Sequence, residues 1–381
     1  MRRTVGFLSS VVFFDAMLFG ALIPLVPRFA DELGLSKLEA GLLVGAYGAG
    51  SLLFGIPAGM IAARIGFKRS IVIGMAVVAV SSVGFALAGN LGALMAARFV
   101  QGCGSVFTWT AALGWIAIAV PREKRGQALG TAFGIAVFGF VIGPLVGALG
   151  DAVSIRTTYL VVAAVAVAIG ALTAFRSDPA APRTAPGALG KALADRRFVG
   201  GLWLNTLPAL FFGTLDVLAP LDLDAGGFGA AGIGLVFFVA GITEVGANPL
   251  IGRLSDRRGP FLPVQLGLGA AVLVSLALVF VSSPYALAAL IAAASVAYGG
   301  FYTPGMALIA DRADDLGLAQ GTSFGITNTA WALGAMLGPW VGGALGHAAG
   351  DWLPYLCCGA LCAATLTVMR RRRHVPQPLA A

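Results

Sequence analysis

About twelve stretches of this chain are each long and apolar enough to reach across a lipid bilayer, and only short connectors separate them. A helix needs about 20 mostly apolar residues to cross the hydrocarbon core. Such runs fall at approximately 5–30, 38–63, 70–90, 92–120, 127–150, 156–175, 198–222, 230–252, 261–282, 285–310, 321–346 and 352–369. A chain of 381 residues, 58% apolar and 11% charged, cannot cover a soluble surface. Outer-membrane strands alternate polarity over about ten residues, whereas whole stretches here are apolar. The expected fold is therefore an all-α integral membrane bundle of twelve transmembrane helices.

The placement of lysine and arginine sets the expected orientation. With the N-terminus inside, the cytoplasmic segments hold Arg2 and Arg3; Arg64, Lys68 and Arg69; Arg122, Lys124 and Arg125; Arg176, Arg183, Lys191, Arg196 and Arg197; Arg253, Arg257 and Arg258; Arg312; and Arg370 to Arg373. That is 21 of the 25 basic residues. Arg28, Lys37 and Arg156 fall on the other side, and Arg98 lies inside a span. The expectation is a multi-pass protein of the cytoplasmic (inner) membrane with both termini cytoplasmic. The net charge of +8 is then a topology signal, and no nucleic-acid partner is expected. Asp15 interrupts the first apolar run and no small-residue cleavage pattern follows, so residues 1–30 read as a span, not a signal peptide. Cys103, Cys357, Cys358 and Cys362 fall in apolar spans away from His347 and His374, which favours packing over a disulfide or metal site.

Residues 177–196 form the longest polar, proline-containing stretch and separate six spans from six. The predicted division is 1–176, a linker at 177–196, a second bundle at 197–370 and a tail at 371–381. The halves repeat each other. Pro27 and Gly20 match Pro220 and Gly213, and Arg64 and Gly66 match Arg257 and Gly259, all 193 residues apart. Gly139, Gly143, Pro144 and Gly147 match Gly334, Gly338, Pro339 and Gly342 at 195. Two six-span copies share one orientation, so a two-fold axis along the membrane normal relates them and a binding site is expected between them near the midplane.

These motifs resemble those of the major facilitator superfamily. Gly59 to Arg69 and Gly252 to Gly259 are similar to its G-x-x-x-D-R-x-G loops. Arg98-Phe-Val-Gln101-Gly102-Cys-Gly104 resembles its fourth-span pattern, and Gly139 to Ala148 resembles the fifth-span G-x-x-x-G-P-x-x-G-G of its exporter branch. Asp15 to Pro27 is similar to the first span of its proton-coupled drug exporters. The resemblance implies two pseudo-symmetric six-helix bundles and transport by alternating access. It also implies a cytoplasmic gate at Arg64, Asp256 and Arg257, and a sealing contact at Gly143, Pro144, Gly338 and Pro339. The first loop departs from the pattern, with Ala63 in place of the usual acid, which makes the Asp256 copy the better gate.

Four ionisable residues fall within spans: Asp15, Arg98, Asp216 and Glu244. Each costs about 2.5–3.5 kcal/mol at mid-helix, so they are expected to face a wet cavity or one another. Burial disfavours a carboxylate's charge while a nearby arginine favours it, a tension suited to proton exchange. Asp15 and Glu244 are the leading proton carriers, with Arg98 biasing one of them and Asp216 as a further candidate. Gln101, Ser105 and Thr108 continue one polar face from Arg98, Asn248 lies one turn from Glu244, and Asn205 and Phe212 share a face with Asp216. Tyr47, Trp109, Tyr298, Tyr302, Asn328 and Trp331 are candidate lining groups for a large, mostly apolar small molecule.

One proton moving inward through about 100 mV supplies about 2.3 kcal/mol, enough for a gradient of roughly fiftyfold. No G-x-x-x-x-G-K-[ST] sequence is present, so the proton gradient replaces nucleotide, and no cofactor is expected. The favoured reading is proton-coupled efflux of a hydrophobic drug-like compound or metabolite by a monomer in contact with membrane lipid. Import of a small metabolite on the same fold is the alternative. A membrane enzyme would need a nucleophile–base pair or a metal-ligand cluster, and the sequence offers only dispersed acids.

Overall fold

The computed structural model describes residues 2–177, 187–259 and 261–373. The side chain of Asp256, most of the connector at 178–186 and the tail from 374 lie outside the described residues. All regular structure among the described residues is helical. The first span is α1 (Arg2–Gly20), a 3-10 turn (Ile23–Leu25) and α2 (Val26–Leu33). Pro24 and Pro27 withhold backbone donors there and break the helix. The first half continues as α3 (Lys37–Ile65), α4 (Phe67–Leu87), α5 (Leu91–Ala119), α6 (Arg122–Val153) and α7 (Ile155–Ala174). A short α8 (Ala188–Ala194) leads into the second half: α9 (Arg196–Ala225), α10 (Gly229–Arg258), α11 (Phe261–Val279), α12 (Pro284–Asp315), α13 (Gln320–Ala349) and α14 (Trp352–Arg373).

Polar caps start several of these helices. Ser36 and Glu39 form a reciprocal capping box on α3. The Asn90 side chain accepts from the Ala93 N–H at 2.9 Å, and Asp195 accepts from the N–H groups of Arg197 and Phe198 at 3.0 and 2.8 Å. The repeated loop motif has a backbone basis. Its last glycine is Gly66 in one copy and Gly259 in the other, with φ of 92° and 79°, values that disfavour a side chain. Without that glycine the reversal between α3 and α4, or α10 and α11, would be strained.

Among the described residues, eleven spans have the length and hydropathy to cross a membrane by themselves. The twelfth long helix, α13, falls outside that set because Thr322, Ser323, Thr327, Asn328 and Thr329 in its first half, and its glycines, Pro339, Trp331 and Trp340 further on, dilute its apolar run. Thr327 and Thr329 donate back to the carbonyls of Ser323 and Gly325, each at 2.9 Å, which satisfies their hydroxyls. Close packing against α3 and α9 keeps this helix within the bundle.

The repeated glycines make close backbone contacts within each half. A Cβ added at Gly139 or Gly143 of α6 would strike the carbonyls of Phe13 or Met17 of α1, and one at Gly147 that of Ala21 just beyond it. At Gly334 and Gly338 of α13 it would strike those of Thr206 and Leu210 of α9. Small residues here let backbones approach closely, as association within lipid favours. The expected seal is thus divided: Gly143 and Gly338 pack inside their own halves, while Pro144 and Pro339 line the cavity between halves.

Between the halves, α3 lies along α13. Gly41 abuts Pro339 and Gly343, Gly48 abuts Ala335 and Met336, and Gly55 abuts Thr329. A second contact joins α6 to α10, where Gly234 meets Pro144 and Gly241 meets Val141. Toward the arginine-rich end these glycine contacts do not continue. Gly130 and Gly134 on α6, and Gly246 and Gly252 on α10, have no neighbour within 4 Å of an added Cβ. The opposite end is closed by Lys37 of α3, which pairs with Asp351 and lies 3.8 Å from Asp222 of α9.

Candidate functional site

In the first half, the helical register of α5 gathers a buried polar network. Arg98, Gln101, Ser105 and Trp109 project to one side, and Asp15 of α1 sits opposite with 1% exposure. Asp15 Oδ2 accepts from Trp109 Nε1 at 2.6 Å, from Tyr47 Oη at 3.5 Å and from Ser105 Oγ in a close contact. Its Oδ1 is buried and makes no hydrogen bond. Arg98 donates to Gln101 Oε1 at 2.9 Å and lies 5.1 Å over the Tyr47 ring and 5.8 Å over Phe19. No carboxylate stands within ion-pair distance of it among the described residues. Thr108 turns elsewhere: its methyl packs on Gly74 of α4 and its hydroxyl donates to the Ser105 carbonyl at 2.7 Å.

Two cavities lie between the halves. The smaller, about 50 Å³, is lined by Tyr47, Ser105, Trp109, Asn205, Asn328 and Trp331 together with Phe133, Phe140, Phe324 and Tyr302. Asn328 donates across the interface to Thr110 Oγ1 at 3.3 Å, and Asn205 donates to the Thr327 carbonyl at 2.9 Å. The larger, about 200 Å³, has Phe19, Pro144, Phe212, Phe237, Trp331 and Pro339 in an apolar wall, with Asp216, Glu244, Ser295 and Tyr302 among its polar groups. Trp331 borders both and packs edge-on against Phe19 at 5.3 Å and Tyr47 at 6.4 Å. Neither Asp216 nor Glu244 makes a hydrogen bond or ion pair among the described residues.

Besides Thr108, three sequence-selected lining residues stand apart from the cavities. Tyr298 is fully buried in the second half, stacked on Phe211 at 3.7 Å with its hydroxyl 3.0 Å from Ser275. Gln101 serves Arg98, and Asn248 borders neither cavity although its Oδ1 is buried without a partner. At the arginine-rich end, Arg64 and Arg257 are exposed and form no ion pair among the described residues, and the Asp256 side chain lies outside them. The ion pairs at that end join Arg312 to Asp195 at 2.6 Å and to Asp315 at 2.8 Å. Arg312 and the N–H groups of Phe198 and Arg197 hold the Asp195 carboxyl down at about 2.

A profile for the Major Facilitator Superfamily matches residues 8–321 and 209–381. The chain belongs to that superfamily. It is 26% identical over 346 residues to the mouse synaptic vesicular amine transporter, covering 87% of this chain and 65% of the relative. It is 32% identical over 180 residues to a probable vesicular acetylcholine transporter-B of Danio rerio, covering 45% of this chain and 36% of the relative. The quinolone resistance protein NorA of Staphylococcus aureus is 28% identical over 159 residues, 42% of this chain and 41% of NorA. The chain spans less than two thirds of the length of these relatives. In shape it is similar to a bacterial homolog of the human lysosomal transporter Spinster, with a TM-score of 0.77 at 16% identity over 97% of both chains. It is also similar to the nucleoside transporter NupG, at 0.73 and 13% identity over 98% of this chain and 100% of the other. These likenesses carry the multi-pass superfamily fold.

Sequence reasoning missed several groups that shape this superfamily site. Phe19, Phe133, Phe140 and Phe324 build the aromatic walls, yet phenylalanine in an apolar span carries no polarity signal to separate it from lipid-facing neighbours. Lys37, one of three basic residues expected on the opposite side, was a readable signal for the ion pairs that close that end.

Proposed function

We propose that this protein is a secondary active transporter that exports a hydrophobic drug-like compound or metabolite in exchange for protons. It would work by alternating access as a monomer in the cytoplasmic membrane, with both termini cytoplasmic and the proton gradient in place of nucleotide. The observation that carries this reading is the set of three mid-span carboxylates, Asp15, Asp216 and Glu244, none with a cation in ion-pair distance among the described residues. A buried carboxylate without a cation is held most cheaply as the neutral acid, and a group that must bind and release its proton as water access changes is a proton carrier. Asp15 keeps its donors Ser105, Trp109 and Tyr47 within reach of the smaller cavity, so a change at either cavity can alter its surroundings.

The aromatic, mostly apolar walls support a hydrophobic cargo, and acids set among rings support one with positive charge. Similarity to proteins named for amine transport and quinolone resistance supports the same class. The test is proton movement in proteoliposomes. Addition of a hydrophobic cation outside acid-loaded vesicles should release protons, and Glu244→Gln and Asp15→Asn should each abolish that release while the protein stays folded. Co-uptake of protons with the compound, or full activity in both variants, would sink the antiport reading.

A further inference from the structure

Trp331 stands between two spaces of different chemistry. Three rings, Phe140 of α6, Tyr302 of α12 and Trp331 of α13, line both cavities. The larger space, about 200 Å³, is walled mainly by apolar side chains, Phe19, Phe212 and Phe237 among them. The smaller, about 50 Å³, carries Tyr47, Ser51, Ser105, Asn205, Thr327 and Asn328 on its wall. A single water needs about 10–15 Å³, so the smaller space has room for a hydroxyl or a primary amide. Trp331 touches Phe19 at 5.3 Å and Tyr47 at 6.4 Å, both edge-on. The indole N–H groups of Trp109, Trp203, Trp340 and Trp352 each donate a hydrogen bond, whereas that of Trp331 donates none among the described residues. A tryptophan on a helix has two open χ1 wells, and a ring with no polar anchor can turn between them.

Asn205 marks what the smaller space can read. It comes from α9, is 1% exposed and lines that space. Its amide nitrogen donates to the Thr327 carbonyl at 2.9 Å, while its Oδ1 is buried and accepts no hydrogen bond among the described residues. The polar groups around it donate elsewhere. Ser51 donates to the Gly102 carbonyl at 3.2 Å, Thr327 to the Ser323 carbonyl at 2.9 Å, and Asn328 to Thr110 Oγ1 at 3.3 Å. An acceptor held in a dry interior without a donor is costly, so this position favours a ligand that brings an N–H or O–H of its own.

We propose that Trp331 is a specificity-determining partition, and that turning it joins the two cavities into one site for an elongated cargo with an apolar body and a hydrogen-bond-donating end. The body fills the larger space, and the donor reaches Asn205 Oδ1 in the smaller one. With the ring across the gap, cargo is confined to the larger space and only compact molecules fit. With the ring turned aside, length is accepted and the polar end is selected. This inference rests on the reading above that the central space carries a hydrophobic small molecule, and it specifies that molecule's shape and polar end. It holds for either direction of transport.

The test uses the purified protein and three probes with one head group: benzyltrimethylammonium, biphenylmethyl-trimethylammonium, and the latter with a para-carbamoyl group on its far ring. Calorimetry gives their dissociation constants. The carbamoyl probe should bind about fivefold tighter than the plain biphenyl, the scale of one net hydrogen bond, and Asn205→Leu should erase that advantage while the plain biphenyl still binds as a check on folding. Trp331→Ala should raise the affinity of the carbamoyl probe relative to the benzyl probe about tenfold, as expected if the turned ring is about a tenth of the population. Phe237→Ala, on the larger wall alone, should weaken both alike. In protein carrying fluorotryptophan, the fluorine signal missing from Trp331→Phe belongs to Trp331. That signal should move to a second position with the carbamoyl probe and stay in place with the benzyl probe, which a merely structural ring would not do. Equal changes for both probes in Trp331→Ala, or a Trp331 signal that neither probe moves, overturns the partition. A carbamoyl advantage that survives Asn205→Leu overturns the donor subsite. Binding of no probe to any of these proteins overturns the hydrophobic-cargo reading itself.

Discussion

Replacing glycine by alanine at two positions in the middle of long helices should shift stability in opposite directions. In a helix interior the change alone gains about 0.5–1 kcal/mol, because alanine loses less backbone entropy. At Gly246 of α10 nothing lies within 4 Å of the new methyl, so Gly246→Ala should realise that gain. At Gly48 of α3 the methyl would fall 2.5 Å from the Met336 nitrogen, 2.6 Å from the Ala335 carbonyl carbon and 2.8 Å from its oxygen. All three are backbone atoms of α13, so no rotamer change relieves the clash, and the seam between halves must widen. Overpacking of this kind costs about 1–3 kcal/mol. Subtracting the intrinsic gain leaves Gly48→Ala destabilised by up to about 2.5 kcal/mol, and because that gain is common to both variants the overpacking cost sets them about 1–3 kcal/mol apart. Apparent melting temperatures in one detergent provide the comparison, and hydrogen exchange along α3 and α13 locates the change. The seam argument fails if both variants shift in the same direction, or if Gly48→Ala leaves exchange in α13 untouched.

Two further outcomes follow from the ion pairs at the ends. Lys37→Met removes the link to Asp351 and Asp222; these side chains are 32%, 19% and 37% exposed, so solvent screening limits the expected loss to about 1 kcal/mol, or about fivefold in the equilibrium that keeps this end shut. Spin-label distances between the ends of α3 and α9 should broaden toward longer values, and an unchanged distribution would count against the latch. At the other end, Asp195 has its folded value depressed to about 2 from the ordinary 3.8, so its contribution to holding Arg312 is complete above about pH 4 and is lost as pH falls through 2. A spin label on α8 should therefore gain mobility over that acid range, and Asp195→Ala should show the mobile signal at all pH values.

The fold was legible because the strongest membrane signals are local. Apolar length marks a span wherever the chain goes afterwards, and the Gly66 and Gly259 copies mark turns whose backbone admits little else. The polar network was half legible. Register placed Arg98, Gln101, Ser105 and Thr108 on one side of α5, and Asp15 does meet Ser105, while Trp109, selected only as an aromatic lining group, meets it too. Register could not reveal that Thr108 faces α4, since a residue one position from a polar stripe falls on either border of it. Tyr298 shows the same limit from the other side. An amphipathic ring suits a cavity wall and a helix core equally well, and here a stack on Phe211 takes it into the core. The α3–α13 seam was hidden because a glycine reports room for a neighbour without saying which neighbour arrives.

The internal repeat separates what shapes this bundle from what charges it. Glycines and prolines recur at offsets of 193 to 195, and they set turns and helix contacts in both halves. The ionisable residues do not recur. At the offset of 193, Asp15 corresponds to Pro208, Arg98 to Ile291, Asp216 to Ile23 and Glu244 to Ser51. Pro208, Ile291 and Ile23 line the larger cavity and Ser51 the smaller, so the counterparts are neutral residues on the same central space. A pair of similar scaffolds can rock about a common axis between two related arrangements, because each contact in one half has a near copy in the other. Charges present in one copy only make those arrangements chemically unequal. The first half holds one acid among three hydrogen-bond donors, while the second presents two acids on the cavity. On the proposed antiport reading, exchange is biased toward the second half, and the first keeps a carboxylate whose surroundings depend on whether Tyr47, Ser105 and Trp109 stay in place.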